Sequence, residues 1–376
     1  MKEYTIIGAG PAGICALAKI CSSGVSKDEL LWIDSQFNVG DFGTSLSIGS
    51  SIPGNTSVES YNRVNHAIYT QLSQYIPGIE EKDTFQLKTY SSDATCPLKI
   101  AAAPLQSITN QLLQHIPNIK GQVLAIEKSD DGLRLSIRAE NGKFHHVVTK
   151  RVILATGSKP KTIRLPSYIS IIPPNIAFIE SELQKYINEM PIIKNVAVIG
   201  SSHSAALATM HLLKTGLSVK QFMNKPYLFA SREFTEDGQH FTKFDNTGLK
   251  GEVALFTTQL LNEAQKYQWE HYIRLNSQTF HQHLSTCSHA VAAIGYTPSC
   301  TLTINGIPLS RFKYDSQTTQ MISPEGKIIP GVFGIGIAYP RQVKAPSGEI
   351  EFAVGVEKFW VSIDDNILMY WKNYNS

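Results

Sequence analysis

No two of the five cysteines in this 376-residue chain form a C-x-x-C pair. Cys15, Cys21, Cys96, Cys287 and Cys300 are scattered. Neither they nor the eleven histidines, among them His203, His240, His281 and His283, fall at metal-ligand spacings. A dithiol–disulfide centre and a metal site are therefore not expected. Cys15 and Cys21 share one predicted helix without facing each other, and they read as small buried thiols. No run of eighteen apolar residues exists, so no membrane-spanning helix is expected. An excess of one charge is missing too, and a net charge of +3 is too mild to draw nucleic acid. The first residues already belong to a predicted strand, which leaves no room for a signal peptide, and the expected compartment is the cytoplasm.

What is present is a pair of strand-to-helix glycine turns. The first, YTIIGAGPAGICALA, carries Gly8, Gly10 and Gly13 in a G-x-G-x-x-G frame, with Pro11 and Ala12 between the last two. Gly8 permits the tight turn, Gly10 presents no side chain to a pyrophosphate, and Gly13 lets the helix lie close to the strand. The pyrophosphate then meets the free N–H groups and the positive dipole end of the helix. Pro11 costs nothing there, because a first-turn donor has no partner anyway. About 20 residues on, the strand LLWID ends at Asp34, an acid placed to bind a ribose. A bare glycine motif is weak evidence; strand, helix and acid in order make a dinucleotide site.

The second turn, NVAVIGSSHSAALATMHLL, is degenerate. Gly200, Ser202 and Ala205 hold the three positions, with Ser201 and Ser204 in the same turn. A serine hydroxyl can donate to a phosphate, but a plain tight turn stays open as the alternative. The next strand, LSVKQFMNKP, ends in Asn224 and Lys225. An acid there would bind a ribose 2′-hydroxyl and repel a 2′-phosphate, whereas a cation favours the phosphate. Lys225, with Arg232 as a second candidate, points to NADP(H), against the alternative of ordinary surface cations. Two turns imply two dinucleotides, and electrons passing between them.

A chain of 376 residues exceeds one ordinary core, so two domains are expected. Residues 35–60 form a long Gly- and Ser-rich loop, too long to be a mere connector. A helix is expected over 104–115, then three short strands with turns at Asp130–Gly132 and Asn141–Gly142. RVILATG reads as a further buried strand, HAVAAIGYTP as another that closes the second unit at Gly295, and a terminal helix is expected from about Glu349 to Trp371.

GAGPAG, the three-strand meander, ATG at Ala155, Thr156 and Gly157, the second turn, AIGYTP and VFGIGIAYP stand here in the order of two-dinucleotide-binding-domain flavoproteins. The chain resembles that superfamily over nearly its whole length. The resemblance implies an α/β fold of two Rossmann-like doubly wound domains: a split FAD domain with a β-meander over 1–160 and 291–376, and an NAD(P)H domain inserted over 161–290. Within the FAD domain, Val123 would offer its backbone to the adenine and the Gly336 turn would approach the isoalloxazine, with Tyr339 beside it or in the core.

Within the superfamily the chain most resembles flavin monooxygenases that oxidise nitrogen or sulfur. Gly40 and Phe42 match their glycine–aromatic loop, IPGNTSVESY their Pro-Gly-Asn stretch, and GSSHSAA the GSGQSAA of amine N-hydroxylating members. Asn55 is thereby the catalytic candidate, an amide beside a C4a-hydroperoxyflavin, against the alternative that it caps a helix starting near Ser57. FAD, NADPH, O₂ and a small-molecule substrate are implied, and a homodimer is allowed. Two features depart from the pattern: Glu180 stands where a histidine is usual before the inserted domain, and Ile337 stands where reductases carry an acid. Single-cysteine reductases of the superfamily place the thiol where Ala12 stands here. A reductase of a disulfide, quinone or ferredoxin acceptor, and a non-catalytic nucleotide sensor, remain as alternatives.

Overall fold

The computed structural model describes residues 1–43, 58–81, 86–91, 98–190, 193, 195–299 and 301–373. Asn55, Cys96 and Cys300 lie outside the described residues.

The five parallel strands at the centre of a ten-stranded sheet run in the order Asn118–Ser129, Leu30–Asp34, Lys2–Ile7, Phe144–Leu154 and Ile328–Gly334. Both faces of this sheet are covered, which is why its strands read as apolar runs. Tyr4 and Ile6 pack with the helices Pro11–Ser22, Val58–Tyr75 and Leu98–His115. Ile7, Leu31 and Ile33 pack on the other face with Leu133, Leu135 and Ile137 of the meander strand Gly132–Ala139. A buried Arg151 fastens the first strand to the chain's end, with Glu3 and the Lys372 carbonyl as partners and its guanidinium 5.1 Å from the Tyr4 ring.

The second sheet is wholly parallel, in the order Trp269–Ile273, Val219–Met223, Asn195–Ile199, Cys287–Ala292 and Ser170–Ile171. Helices Glu180–Glu189, His203–Lys214 and Gly251–Asn262 pack on one face, and Ser277–Leu284 on the other. The fold is therefore α/β with two Rossmann-like doubly wound units. The chain leaves the large sheet through Ser158–Pro160 and returns through Tyr296–Pro298, and these two strands pair antiparallel from Tyr296↔Pro160 to Pro298↔Ser158.

Three expectations are corrected. The third meander strand and the buried RVIL strand are one element, Phe144–Leu154. Its first half pairs antiparallel with Gly132–Ala139 and its second half parallel with Lys2–Ile7, so exposure gives way to burial along one strand. The long terminal helix is instead a hairpin, Gln342–Lys344 with Ile350–Phe352, followed by helices Val356–Ser362 and Asp365–Asn373. Glu351 is drawn inward by Asn246 and Thr247, Gly355 turns at φ +134°, and Asp364 Oδ1 accepts from Ile367 N to restart the helix. The helix expected over 104–115 begins at Leu98, with Pro104 inside it.

Candidate functional site

The first glycine turn is built from contacts that tolerate no side chain at two of its three glycines. Gly8 has φ +114°, and a Cβ there would stand 2.1 Å from Ala155 O. A Cβ on Gly13 would stand 2.1 Å from Gly8 O, which is the close helix–strand approach in numerical form. Gly10 is different: the nearest atom to its missing Cβ is Val39 O at 3.9 Å. Trp32 Nε1 donates to Gly8 O at 3.0 Å from the neighbouring strand and fixes the turn from below.

Asp34 braces the same turn. Its Oδ2 accepts from Ala9 N at 2.8 Å, and its Oδ1 accepts from Gln36 N and Phe37 N at 2.7 Å each. A carboxylate offers about four lone-pair sites, so this bracing leaves room for a ribose hydroxyl. The following loop takes left-handed conformations at Phe37, Val39 and Gly40 and folds over the turn. The missing Cβ of Gly40 would stand 3.4 Å from Gly10 Cα, and Phe42 stacks on Tyr61 at 5.9 Å.

Across the turn, Ala155 N donates to Ile7 O at 2.8 Å and the Thr156 carbonyl accepts from Ser299 Oγ at 2.9 Å. Thr156 Oγ1 is buried without a hydrogen-bond partner among the described residues, beside Gly157 at φ +69° with open space where a Cβ would be. Gly336 presses on the helix start, since a Cβ there would lie 2.6 Å from Ala12 Cβ. Val123 pairs with Ile137 beside a bulge, on the strand that borders Asp34. Tyr339 does not line this groove. Its ring packs under Gly334 and edge-on to Tyr314, only 4 % exposed, so it belongs to the core beneath the Gly336 turn.

The second turn repeats the construction with looser tolerances. Gly200 has φ +139°, and a Cβ there would stand 2.3 Å from Ala293 O. Gln221 Nε2 donates to Gly200 O at 3.1 Å, the part Trp32 plays in the first turn. Ala205 is fully buried and fits where the first turn requires glycine. Ser202 is the extended N-cap of helix His203–Lys214, and its exposed hydroxyl makes no capping bond. Lys225 and Arg232 are both exposed; Arg232 stands opposite Thr242 in the ribbon Ser231–Phe234 with His240–Lys243. Gly295 has φ +91° and open space at its missing Cβ.

Ser204 of the second turn and Asp41 of the loop after the first lie close enough to Tyr296 of the linker to act electrostatically on its hydroxyl. His203, the first residue of its helix, is a participant that a search for metal spacings passed over. Burial first, and then the Lys250 charge, push its imidazole down to about 4, so it is neutral, and its buried Nε2 has no partner among the described residues. The signal was its position inside the turn. Lys250 in turn pairs with Asp245 at 2.8 Å, and Lys358 also reaches Asp245.

Thiol chemistry is closed at the described cysteines near the first turn. Cys15 is fully buried, and burial pushes its thiol up to about 12; Cys21 is pushed to the same value. Among the described residues no group of three His, Cys, Asp or Glu could hold a metal ion, and no helix is long and apolar enough to cross a membrane.

Monooxygenase AgnR1 of Paecilomyces divaricatus is 28% identical over 375 residues, covering 94% of each chain. The bacillithiol disulfide reductase of Bacillus cereus superposes with a TM-score of 0.59 at 13% identity, covering 99% of both chains. The Kutzneria sp. 744 ornithine N-hydroxylase, solved with reduced FAD, NADP⁺ and L-ornithine, superposes with a TM-score of 0.58 at 12% identity over the full length of both. Those two likenesses concern the fold alone. The family model described as pyridine nucleotide-disulphide oxidoreductase matches residues 2–336. With nearly its whole length matched, and with two braced glycine turns each opening a helix against a parallel sheet, this chain belongs to the pyridine nucleotide-disulphide oxidoreductase family.

Proposed function

We propose that the chain is an NADPH-dependent FAD monooxygenase that oxygenates a nitrogen or sulfur of a small molecule. FAD is held by residues 1–160 and 291–376, and NADPH by 161–290. The observation that carries the oxygenase reading over a thiol reductase is the cysteine arrangement. Ala12 stands before Gly13, pressed against Gly336, and the nearest cysteine, Cys15, is sealed in the core. The AgnR1 likeness over 94% of both chains supports the same reading.

The residues fit both dinucleotides. The uncrowded approach to Gly10, the open space at Gly157 and the orphaned Thr156 hydroxyl suit a pyrophosphate and a polar cofactor edge. The uncapped start of helix His203–Lys214, with Ser201, Ser202 and Ser204 around it, suits a second pyrophosphate. When bound, FAD supplies a hydride acceptor and an oxygen-activating ring. The chain's residues position and shield. Asp34 holds the ribose end of the first site, and Gly336 admits the ring edge where any side chain would collide with Ala12. Lys225 neutralises the phosphate that marks NADPH. Asn55 supplies a neutral amide donor, which holds an oxygen without protonating it.

Anaerobic titration tests this reading. NADPH should bleach the bound flavin once and then stop. A disulfide or ferredoxin should not sustain turnover, and admitted oxygen should restore the colour. Sustained anaerobic turnover with either acceptor would overturn the oxygenase reading, and no bleaching would point to a nucleotide sensor.

A further inference from the structure

We propose that Arg274 is the second cation of a phosphate-monoester site at the edge of the five-stranded sheet, sharing with Lys225 the 2′-phosphate of NADPH. This inference rests on the NADPH reading above and adds the residue that discriminates. Strands Val219–Met223 and Trp269–Ile273 run parallel in register through Met223↔Ile273, so their chains leave the sheet side by side. That carboxyl edge is where a dinucleotide lies in an open α/β sheet.

Arg274 is tied there twice. Its backbone N donates to Met223 O at 2.9 Å, and its side-chain Nε donates to Asn224 O at 3.2 Å. To make both bonds it adopts φ +54°, a left-handed conformation that favours glycine or asparagine and is strained for arginine. The Nε bond holds the guanidinium at the strand end, where Lys225 is the residue after Asn224. The terminal guanidinium nitrogens and the Lys225 ammonium have no hydrogen-bonded or ion-paired partner among the described residues, and both side chains are exposed. The segments leaving the edge, NKPYL at 224–228 and RLNSQT at 274–279, contain no carboxylate. Glu270, lower on the Arg274 strand, is engaged by Lys220 at 3.4 Å and by Tyr272.

Two cations with no ion-paired counter-charge among the described residues, one a fork held by its Nε, match a dianionic phosphate monoester. The planar fork gives paired N–H donors, and the lysine adds a point charge. Arg232 looked equally suited in the sequence, but it sits in a separate ribbon opposite Thr242.

Calorimetric titration of the full-length protein with 2′,5′-ADP, 5′-AMP and inorganic phosphate tests this without turnover. The wild type should bind 2′,5′-ADP more tightly than 5′-AMP. Arg274→Gln should lose about tenfold or more of that preference, as expected for a charged hydrogen bond, with 5′-AMP affinity unchanged. Arg274→Lys should recover only part, and Arg232→Gln should change nothing. Arg274→Gly, which relieves the left-handed strain, guards against misfolding and should show the same loss. Unchanged 2′,5′-ADP preference in the Gln and Gly variants would overturn the role of Arg274 while leaving the NADPH reading standing. Equal binding of the two nucleotides by the wild type would overturn both. Inorganic phosphate binding through Arg274 without any nucleotide preference would show a simple anion site and overturn the assignment.

Discussion

A methyl group on Gly8 or Gly13 would overlap a backbone oxygen at 2.1 Å, whereas one on Gly10 would meet nothing closer than Val39 O at 3.9 Å. Gly10 also has φ −74°, which any residue adopts. Gly8→Ala and Gly13→Ala should therefore lower the unfolding temperature sharply, while Gly10→Val should unfold near the wild-type temperature yet purify without yellow flavin. Thermal melts and the visible spectrum check both halves. His203 carries a pH prediction. Its folded value of about 4 lies below the ordinary 6.5, so the unfolded chain takes the proton first as pH falls. Its contribution to stability is whole above 6.5 and is lost down to about 4. His203→Gln should flatten that part of a plot of unfolding temperature against pH; an unchanged profile would refute it. At this scale the glycines were legible because backbone sterics leave few residues able to serve. His203 was not, because nothing in its own identity distinguishes a turn residue from a buried core histidine.

Among the elements, the terminal hairpin shows where periodicity misleads. The stretch from Glu349 reads as the start of a terminal helix, yet Glu351 is only 4 % exposed. It accepts from Asn246 N and Nδ2 at 3.2 Å and from Thr247 Oγ1 at 2.8 Å. Those partners lie about a hundred residues away in sequence, so no local pattern announces them. Glu351→Ala strands these donors and should cost about 1–3 kcal/mol in denaturant unfolding, against a near-neutral result if the hairpin were only surface decoration. The merged Phe144–Leu154 strand has the same lesson: its two halves face different neighbours, so one element carries two patterns. The strands Lys2–Ile7, Leu30–Asp34 and Asn195–Ile199, by contrast, were legible as buried runs before glycine or acid.

For the whole molecule, a mixed sheet with a parallel centre and a wholly parallel sheet are joined by the paired strands Ser158–Pro160 and Tyr296–Pro298, and each sheet carries one glycine turn. Both turns and the strand-end lysine could be read from local sequence, since each is a short motif with its own steric or electrostatic logic. The closeness of Ser204 and Asp41 to Tyr296 and the register that sets Arg274 beside Asn224 are products of chain crossing, and only the folded arrangement reveals them. Resemblance assigns Asn55 the oxygen-holding role, and Asn55→Ala should leave flavin reduction by NADPH unchanged while more of the consumed oxygen appears as hydrogen peroxide. The central claim is that oxygen taken up after NADPH oxidation ends in a small molecule. Incubating the reduced protein with ¹⁸O₂ and a panel of amines and thioethers, with mass spectrometry of the products, measures this directly. The account predicts ¹⁸O in a nitrogen- or sulfur-oxygenated product, with peroxide release falling as that product forms. Complete recovery of the label as hydrogen peroxide, with anaerobic NADPH oxidation sustained by a disulfide, would contradict it.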